Sequence, residues 1–163
     1  MQKGMSYYLI DDKIRLMEDD FWLESQFSVK KSQKNLLEGI NILVVDDNPI
    51  NLTVADKTLA KFSGTSFKCL NAEDALQIFN SNNIHLILMD LHMPNIDGFE
   101  AAKMIKQTEK FLNKPICILA YTTYSYNDIK VDLELAGFDG YIGKPFTHTQ
   151  VIDTIIDAVA KVK

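Results

Sequence analysis

Five short apolar runs alternate with amphipathic stretches from Asn41 onward in this 163-residue chain, and that alternation fixes the fold class. The first run, Ile42-Leu-Val-Val45, is apolar at every position, as a strand covered on both faces must be. Asn48 then offers a side-chain cap and Pro49 a first helical position, and Leu52, Ala55, Leu59 and Phe62 follow at helical spacing before Gly64. Further strands are predicted over 66–70, 84–89, 115–121 and 140–142. Further helices are predicted over 72–79, over 98–106 and over 127–136, the last stopping at Gly137. Thr147 or Thr149 is expected to cap a fifth helix that carries Val151, Ile155 and Val159 on one face. Five strand–helix units in so short a span imply an α/β fold, an open parallel sheet with helices on both faces. Sites in such sheets form at the carboxyl ends of the strands.

The first 40 residues have a different character. Tyr7-Tyr8-Leu9-Ile10 and Ile14-Arg15-Leu16 flank Asp11-Asp12-Lys13, which reads as a hairpin, and Phe21, Leu23, Ser25, Phe27 and Val29 follow a period of two. Residues 30–40 open with the polar run Lys30-Lys-Ser-Gln-Lys-Asn35 and read as a linker. The expected organisation is therefore a small β-rich extension over 1–29, a linker over 30–40 and one domain over 41–163. So small a β piece is marginal alone and needs something to pack on.

Composition narrows the function classes. A net charge of −5 argues against a dedicated nucleic-acid binder, so no direct DNA binding is expected. The longest apolar runs fall far short of a bilayer span, and acidic residues precede any long apolar segment at the N-terminus, so neither membrane insertion nor a signal peptide is expected. Cys69 and Cys117 suit neither a disulfide framework nor a zinc site, and read as small core residues of a cytoplasmic protein.

The strand ends carry the chemistry. Asp46 and Asp47 follow the first strand, Asp90 the third, Thr122 and Thr123 the fourth, and Lys144 the fifth. Taken singly, each has an ordinary use as a helix cap, a turn residue or a solvated side chain. Taken together they converge on one sheet edge. Three carboxylates there repel one another, and a divalent cation relieves the repulsion. Oxygen ligands without His or Cys favour Mg²⁺ or Mn²⁺ over zinc. A lysine and a hydroxyl beside such a cation make a cradle for a phosphoryl group, and a carboxylate can serve as the nucleophile. Asp90, followed by a proline-containing loop, is the natural choice. His85 and His148 read as structural or surface residues, and Met89 and Met93 as packing residues.

Three segments carry a specific resemblance: Ile42-Leu-Val-Val-Asp-Asp-Asn-Pro-Ile-Asn51, Leu86-Ile-Leu-Met-Asp-Leu-His-Met-Pro-Asn-Ile-Asp-Gly98 and Gly140-Tyr-Ile-Gly-Lys-Pro-Phe146. Over residues 40–163 the chain resembles the receiver domain of two-component response regulators, of the type found in hybrid sensor histidine kinases. The resemblance implies a flavodoxin-like fold with strand order 2-1-3-4-5. It implies that Asp90 accepts a phosphoryl group from a phosphohistidine, with Asp46, Asp47, Asp90 and the backbone carbonyl of His92 serving Mg²⁺. It implies that Thr122 and Lys144 contact the phosphoryl oxygens, that Tyr141 swings inward as Thr122 moves, and that the Lys144–Pro145 peptide is cis. The face built from the fourth helix, fifth strand and fifth helix would then change. The expected partners are a histidine kinase or histidine phosphotransfer protein, a downstream protein and, through the hairpin or the fourth helix, a second copy of the chain.

Two departures stand out. Tyr121 precedes Thr122 where the family usually has a smaller aliphatic residue, and bulky His92 and Tyr124 occupy positions that in the family tune dephosphorylation. Tyr121 would alter how that loop packs, whereas His92 and Tyr124 would shield an acyl phosphate from water and slow its loss. The segment from Phe21 to Val29, with the linker, also resembles the tail of a kinase ATP-binding domain, which makes a fragment of a hybrid kinase an alternative. A phosphorylation-independent pseudo-receiver is a second alternative, opposed by the intact set of five residues. An aspartate-nucleophile hydrolase of the haloacid dehalogenase class is a third, opposed by His92 where that class needs a second Asp. The expected protein is a switch that catalyses only its own phosphorylation and dephosphorylation.

Overall fold

The computed structural model describes residues 5–10, 13–18 and 35–161. The chain divides into two compact units, Met1–Leu36 and Leu37–Lys163. In the first, β1 (Met5–Ile10) pairs antiparallel with β2 (Lys13–Glu18), Tyr7 opposite Leu16, which is the hairpin expected from the sequence. The pattern over 21–29 and the turn at Asp11-Asp12 lie outside the described residues.

The second unit follows the alternation read from the sequence: β3 (Asn41–Val45), α1 (Pro49–Ala60), β4 (Thr65–Cys69), α2 (Ala72–Ser81), β5 (Leu86–Met89), α3 (Gly98–Lys106), α4 (Glu109–Asn113), β6 (Cys117–Thr122), α5 (Tyr126–Ala136), β7 (Gly140–Gly143) and α6 (His148–Lys161). The five strands of its sheet are all parallel in the order β4-β3-β5-β6-β7, which is 2-1-3-4-5 within the unit. β3, β5 and β6 are buried almost throughout, which explains their unbroken apolar sequences. One face packs Ile42, Val44, Leu86, Leu88, Leu119 and Ile142 against α1 and α6, and the other packs Leu43, Val45, Ile87, Met89 and Ile118 against α2 and α3. Cys69, Cys117, Met89 and Met93 are all buried, as their sequence setting suggested.

The helix ends follow local chemistry. Asn48, Asn71 and Asp97 each accept a backbone N–H from the first turn of α1, α2 and α3. Thr147 is the cap of α6: its hydroxyl accepts from the Gln150 N–H while the Gln150 side chain accepts from the Thr147 N–H, a reciprocal box. Gly137 ends α5 in the left-handed conformation at φ 69°. Lys106 reaches from α3 to the carbonyls of Ala136 and Gly137 at the end of α5. Lys110 reaches likewise to the carbonyls of Phe79 and Asn82 at the end of α2.

The structure differs from the sequence reading in three places. The short helix α4 has no counterpart in it, because five residues are too few to show a period; Thr108 caps it, and its Phe111 packs on Phe79 with ring centroids 6.4 Å apart. His85 precedes β5 rather than lying in it, and its Nδ1 accepts from the Asn41 N–H at 2.9 Å, so its job is to satisfy the start of β3. Leu37, within the expected linker, is 1% exposed and donates its N–H to the Phe62 carbonyl, so the second unit begins four residues before β3.

Candidate functional site

Hydrogen bonds that continue the parallel ladders bring the strand ends into line. The Asp90 N–H donates to the Val45 carbonyl at 2.9 Å and sets Asp90 beside Asp46; the Lys144 N–H donates to the Thr122 carbonyl at 2.8 Å and sets Lys144 beside β6. Alternation along the strands then decides which way each side chain goes. Val44 and Asp46, Leu88 and Asp90, Leu119 and Tyr121, and Ile142 and Lys144 are pairs two residues apart, so all four functional members continue the face packed on α1 and α6. Thr122 falls on the opposite side.

Carboxylate oxygens of Asp46, Asp47 and Asp90 lie within 4.8 Å of one another, and among the described residues they form the cluster able to hold a metal ion. Asp46 is fully buried, Asp90 is 6% exposed, and Asp47 faces solvent. Oδ1 of Asp46 accepts from the Asn48 N–H at 2.9 Å and from Nδ2 of Asn51 at 3.0 Å, while its Oδ2 is bonded by the Lys144 ammonium. The same ammonium is 3.5 Å from Oδ1 of Asp90. Burial pushes the Asp90 carboxyl above its usual range, with the Asp46 charge adding to the rise and Lys144 opposing it. A divalent cation suits this set, since three carboxylates meet here and the one lysine beside them bridges only two.

Thr122 is fully buried at the end of β6, its hydroxyl accepting from the Tyr124 N–H at 3.4 Å. The Lys144–Pro145 bond is cis. The His92 N–H points to Oδ1 of Asp90 at 3.5 Å, and the His92 ring meets Tyr124 edge-on, its Nδ1 3.1 Å from the Tyr124 hydroxyl. Tyr141 is half-buried: its hydroxyl donates to the Tyr124 carbonyl at 2.6 Å and its ring lies 5.4 Å from that of Tyr126. Every site residue expected from the sequence is thus on or beside one sheet edge.

Three residues of this edge had no assigned role. Asn51 holds Asp46 from five residues away, in the first turn of α1. Gly98 lies so close to the Asp90 backbone that a Cβ there would be 2.1 Å from the Asp90 carbonyl oxygen, so α3 can start here only on glycine. Tyr121 lies under Lys144, its ring centroid 4.3 Å from Nζ. The alternation Leu119, Tyr121 against Ile142, Lys144 is the signal that would have placed it. His148 is exposed, as expected, and bridges Thr58 of α1 and Lys61 just after that helix through its two ring nitrogens.

The family model for the response regulator receiver domain matches residues 42–156. Among curated proteins, probable histidine kinase 4 of rice is 35% identical over 140 residues, covering 74% of this chain and 14% of that protein. Stress response regulator protein 1 of Debaryomyces hansenii is 35% identical over 124 residues, covering 75% of this chain and 50% of that protein. The chain therefore spans half or less of these relatives. Among solved structures, the receiver domain of Saccharomyces cerevisiae Ssk1, crystallised with the histidine phosphotransfer protein Ypd1, superposes with a TM-score of 0.70 at 29% identity, covering 78% of this chain and 94% of that one. The receiver domain of a Pseudomonas aeruginosa sensor histidine kinase, with a magnesium ion coordinated in its active-site cleft, gives 0.67 at 25% identity over 75% of this chain and 98% of that one. Among the described residues, no helix is long and apolar enough to cross a membrane.

Proposed function

The chain belongs to the response regulator receiver domain family of two-component phosphorelay signalling, and from that premise we propose that Asp90 is its phosphoacceptor. The observation that carries the proposal is the convergence of Asp46, Asp47 and Asp90 within 4.8 Å, with Lys144 bridging two of them. An Asp90 carboxylate oxygen forms a bond to phosphorus as the bond from phosphorus to a donor histidine nitrogen breaks, the nitrogen keeping the electron pair. Mg²⁺, held by Asp46, Asp47, Asp90 and the His92 carbonyl, supplies Lewis acidity and charge neutralisation when bound. Lys144 moves from Asp46 toward the phosphoryl oxygens, and the Thr122 hydroxyl turns to donate to one of them.

Phosphorylation replaces the single charge of the Asp90 carboxylate with the close to two negative charges of a phosphoryl group and brings three acceptor oxygens to the site. The readout is the surface of α5, β7 and α6. Tyr141 is the relay, already tied to the loop after Thr122 through the Tyr124 carbonyl. Drawing Thr122 inward pulls on that loop and on Tyr141 with it. A differential contact energy of a few kcal/mol is enough to shift the populations.

The donor is a histidine kinase or a histidine phosphotransfer protein in the cytoplasm. Ile50 and Val54 of α1 are exposed apolar residues close to Asp47 in sequence, and they offer such a protein a footing beside the acceptor. The protein turns over no separate substrate: it takes the group, holds it and loses it to water or to a further histidine. Incubation with acetyl phosphate and Mg²⁺ tests the proposal. Wild type is expected to gain one acid-stable, base-labile phosphoryl group and Asp90→Asn none; persistent labelling of the variant would remove Asp90 from the role.

A further inference from the structure

We propose that Tyr121 is a positioning residue for Lys144: its ring face carries the Lys144 ammonium between Asp46 and Asp90, and so sets how readily Asp90 takes a phosphoryl group. The inference rests on the receiver reading above and adds to it a residue outside the acidic cluster. Nζ of Lys144 is 4.3 Å from the Tyr121 ring centroid, and the lysine side chain is only 9% exposed. Tyr121 itself is 1% exposed. Its ring packs on Phe146 at 5.4 Å, so the platform is braced on the segment that follows Lys144. The register confirms the placement: Met89 pairs with Ala120 and Ile142 with Tyr121, so Tyr121 stands next to Asp90 on one side and two residues short of Lys144 on the other.

A buried ammonium needs partners on all sides. The two carboxylates serve part of it, and the π face of Tyr121 serves the side that would otherwise meet hydrocarbon. A smaller aliphatic residue at position 121 would leave that side uncompensated and the lysine free to wander. The π face has a second property. It attracts a cation without a directional hydrogen bond, so Nζ can slide from Asp46 toward a phosphoryl group on Asp90 and stay over the ring throughout. Tyr121 thus holds Lys144 on the track the reaction requires and touches no reacting atom itself.

The test compares wild type, Tyr121→Phe and Tyr121→Leu, each with Lys144 intact and with Lys144→Ala, for the rate of phosphoryl gain from acetyl phosphate in Mg²⁺. With Lys144 present, Tyr121→Leu is expected to slow the reaction about thirtyfold, the size of a desolvated cation–π contact, whereas Tyr121→Phe stays close to wild type. In the Lys144→Ala background the leucine effect should vanish. A second readout needs no metal: the ε-methylene protons of Lys144 should be shifted upfield by the ring current in wild type and Tyr121→Phe, and not in Tyr121→Leu. If the leucine variant is unfolded by circular dichroism, Tyr121→Met, whose flexible side chain fills irregular gaps, takes its place. Equal slowing in both backgrounds would make Tyr121 a packing residue only and overturn the inference. So would a phenylalanine variant as slow as the leucine one, or an unshifted Lys144 methylene in wild type. A wild type that gains no phosphoryl group would overturn the receiver reading and this inference with it.

Discussion

The Lys144 ammonium is bonded to Asp46 and stands 3.5 Å from Asp90, so in the resting protein it bridges the two buried carboxylates and sits closer to Asp46 than to the acceptor. Both carboxylates are buried and depend on it. Lys144→Ala is therefore expected to cost about 3 kcal/mol in urea denaturation with EDTA, the size of a broken buried pair. Most of that loss should return in saturating Mg²⁺, which replaces the missing charge. Equal losses with and without Mg²⁺ would contradict the pairing.

Asp90 has the opposite effect on stability. Its carboxyl is raised by burial first and by Asp46 as well, against the pull of Lys144. A raised acid binds its proton more tightly in the native state, so its contribution is complete below the ordinary carboxylate range and is lost as pH rises through the raised value. Asp90→Asn cannot ionise. It is expected to be more stable than wild type at pH 7 without metal, the gap closing in acid. Denaturation at neutral pH and near pH 4 checks the sign.

Metal binding should be visible as stabilisation. At a hundred times the dissociation constant, Mg²⁺ is expected to add about 2.7 kcal/mol. Asp47 is exposed and carries little of the fold, so Asp47→Ala should abolish that gain yet keep the metal-free stability within about 0.5 kcal/mol of wild type. A full Mg²⁺-dependent rise in the variant would take Asp47 out of the ligand set.

His92 and Tyr124 meet across the approach to Asp90, Nδ1 to hydroxyl at 3.1 Å. Together they would limit the entry of water to an acyl phosphate there. Tyr124→Ala is expected to shorten the phosphoryl lifetime several-fold, followed by loss of label after donor removal. A wild-type half-life of seconds would show that the pair shields nothing.

Gly98 is the least replaceable residue of the site. A Cβ would meet backbone at 2.1 Å, which no side-chain adjustment relieves. Gly98→Ala should cost about 3 kcal/mol or more, read as a fall in the urea midpoint, whereas alanine at Gly39, where a Cβ meets nothing within 4 Å, should cost only its positive φ.

What could be read from sequence was whatever repeats at short range. Asp46, Asp90, Thr122 and Lys144 were legible because each ends a run of apolar residues, and a parallel sheet carries all such ends to one edge. The short α4 has no period to read. His85 and His148 take their partners 44 and 90 residues away, distances over which only the folded register decides who meets whom. Tyr121 lies between these cases: its bulk was visible as a departure, but its place under Lys144 needed the pairing of β6 with β7.

The two ends of α5 are held unequally. Its C-terminus is clasped by the Lys106 ammonium on the carbonyls of Ala136 and Gly137, while Ser125 at its N-terminus makes no side-chain cap bond. A rod fastened at one end and loose at the other is a lever. Strain delivered through Tyr124 and Tyr141 would arrive at the uncapped end, where Tyr126 meets Tyr141, so α5 would pivot about Gly137 and sweep its widest arc next to the aromatic rings.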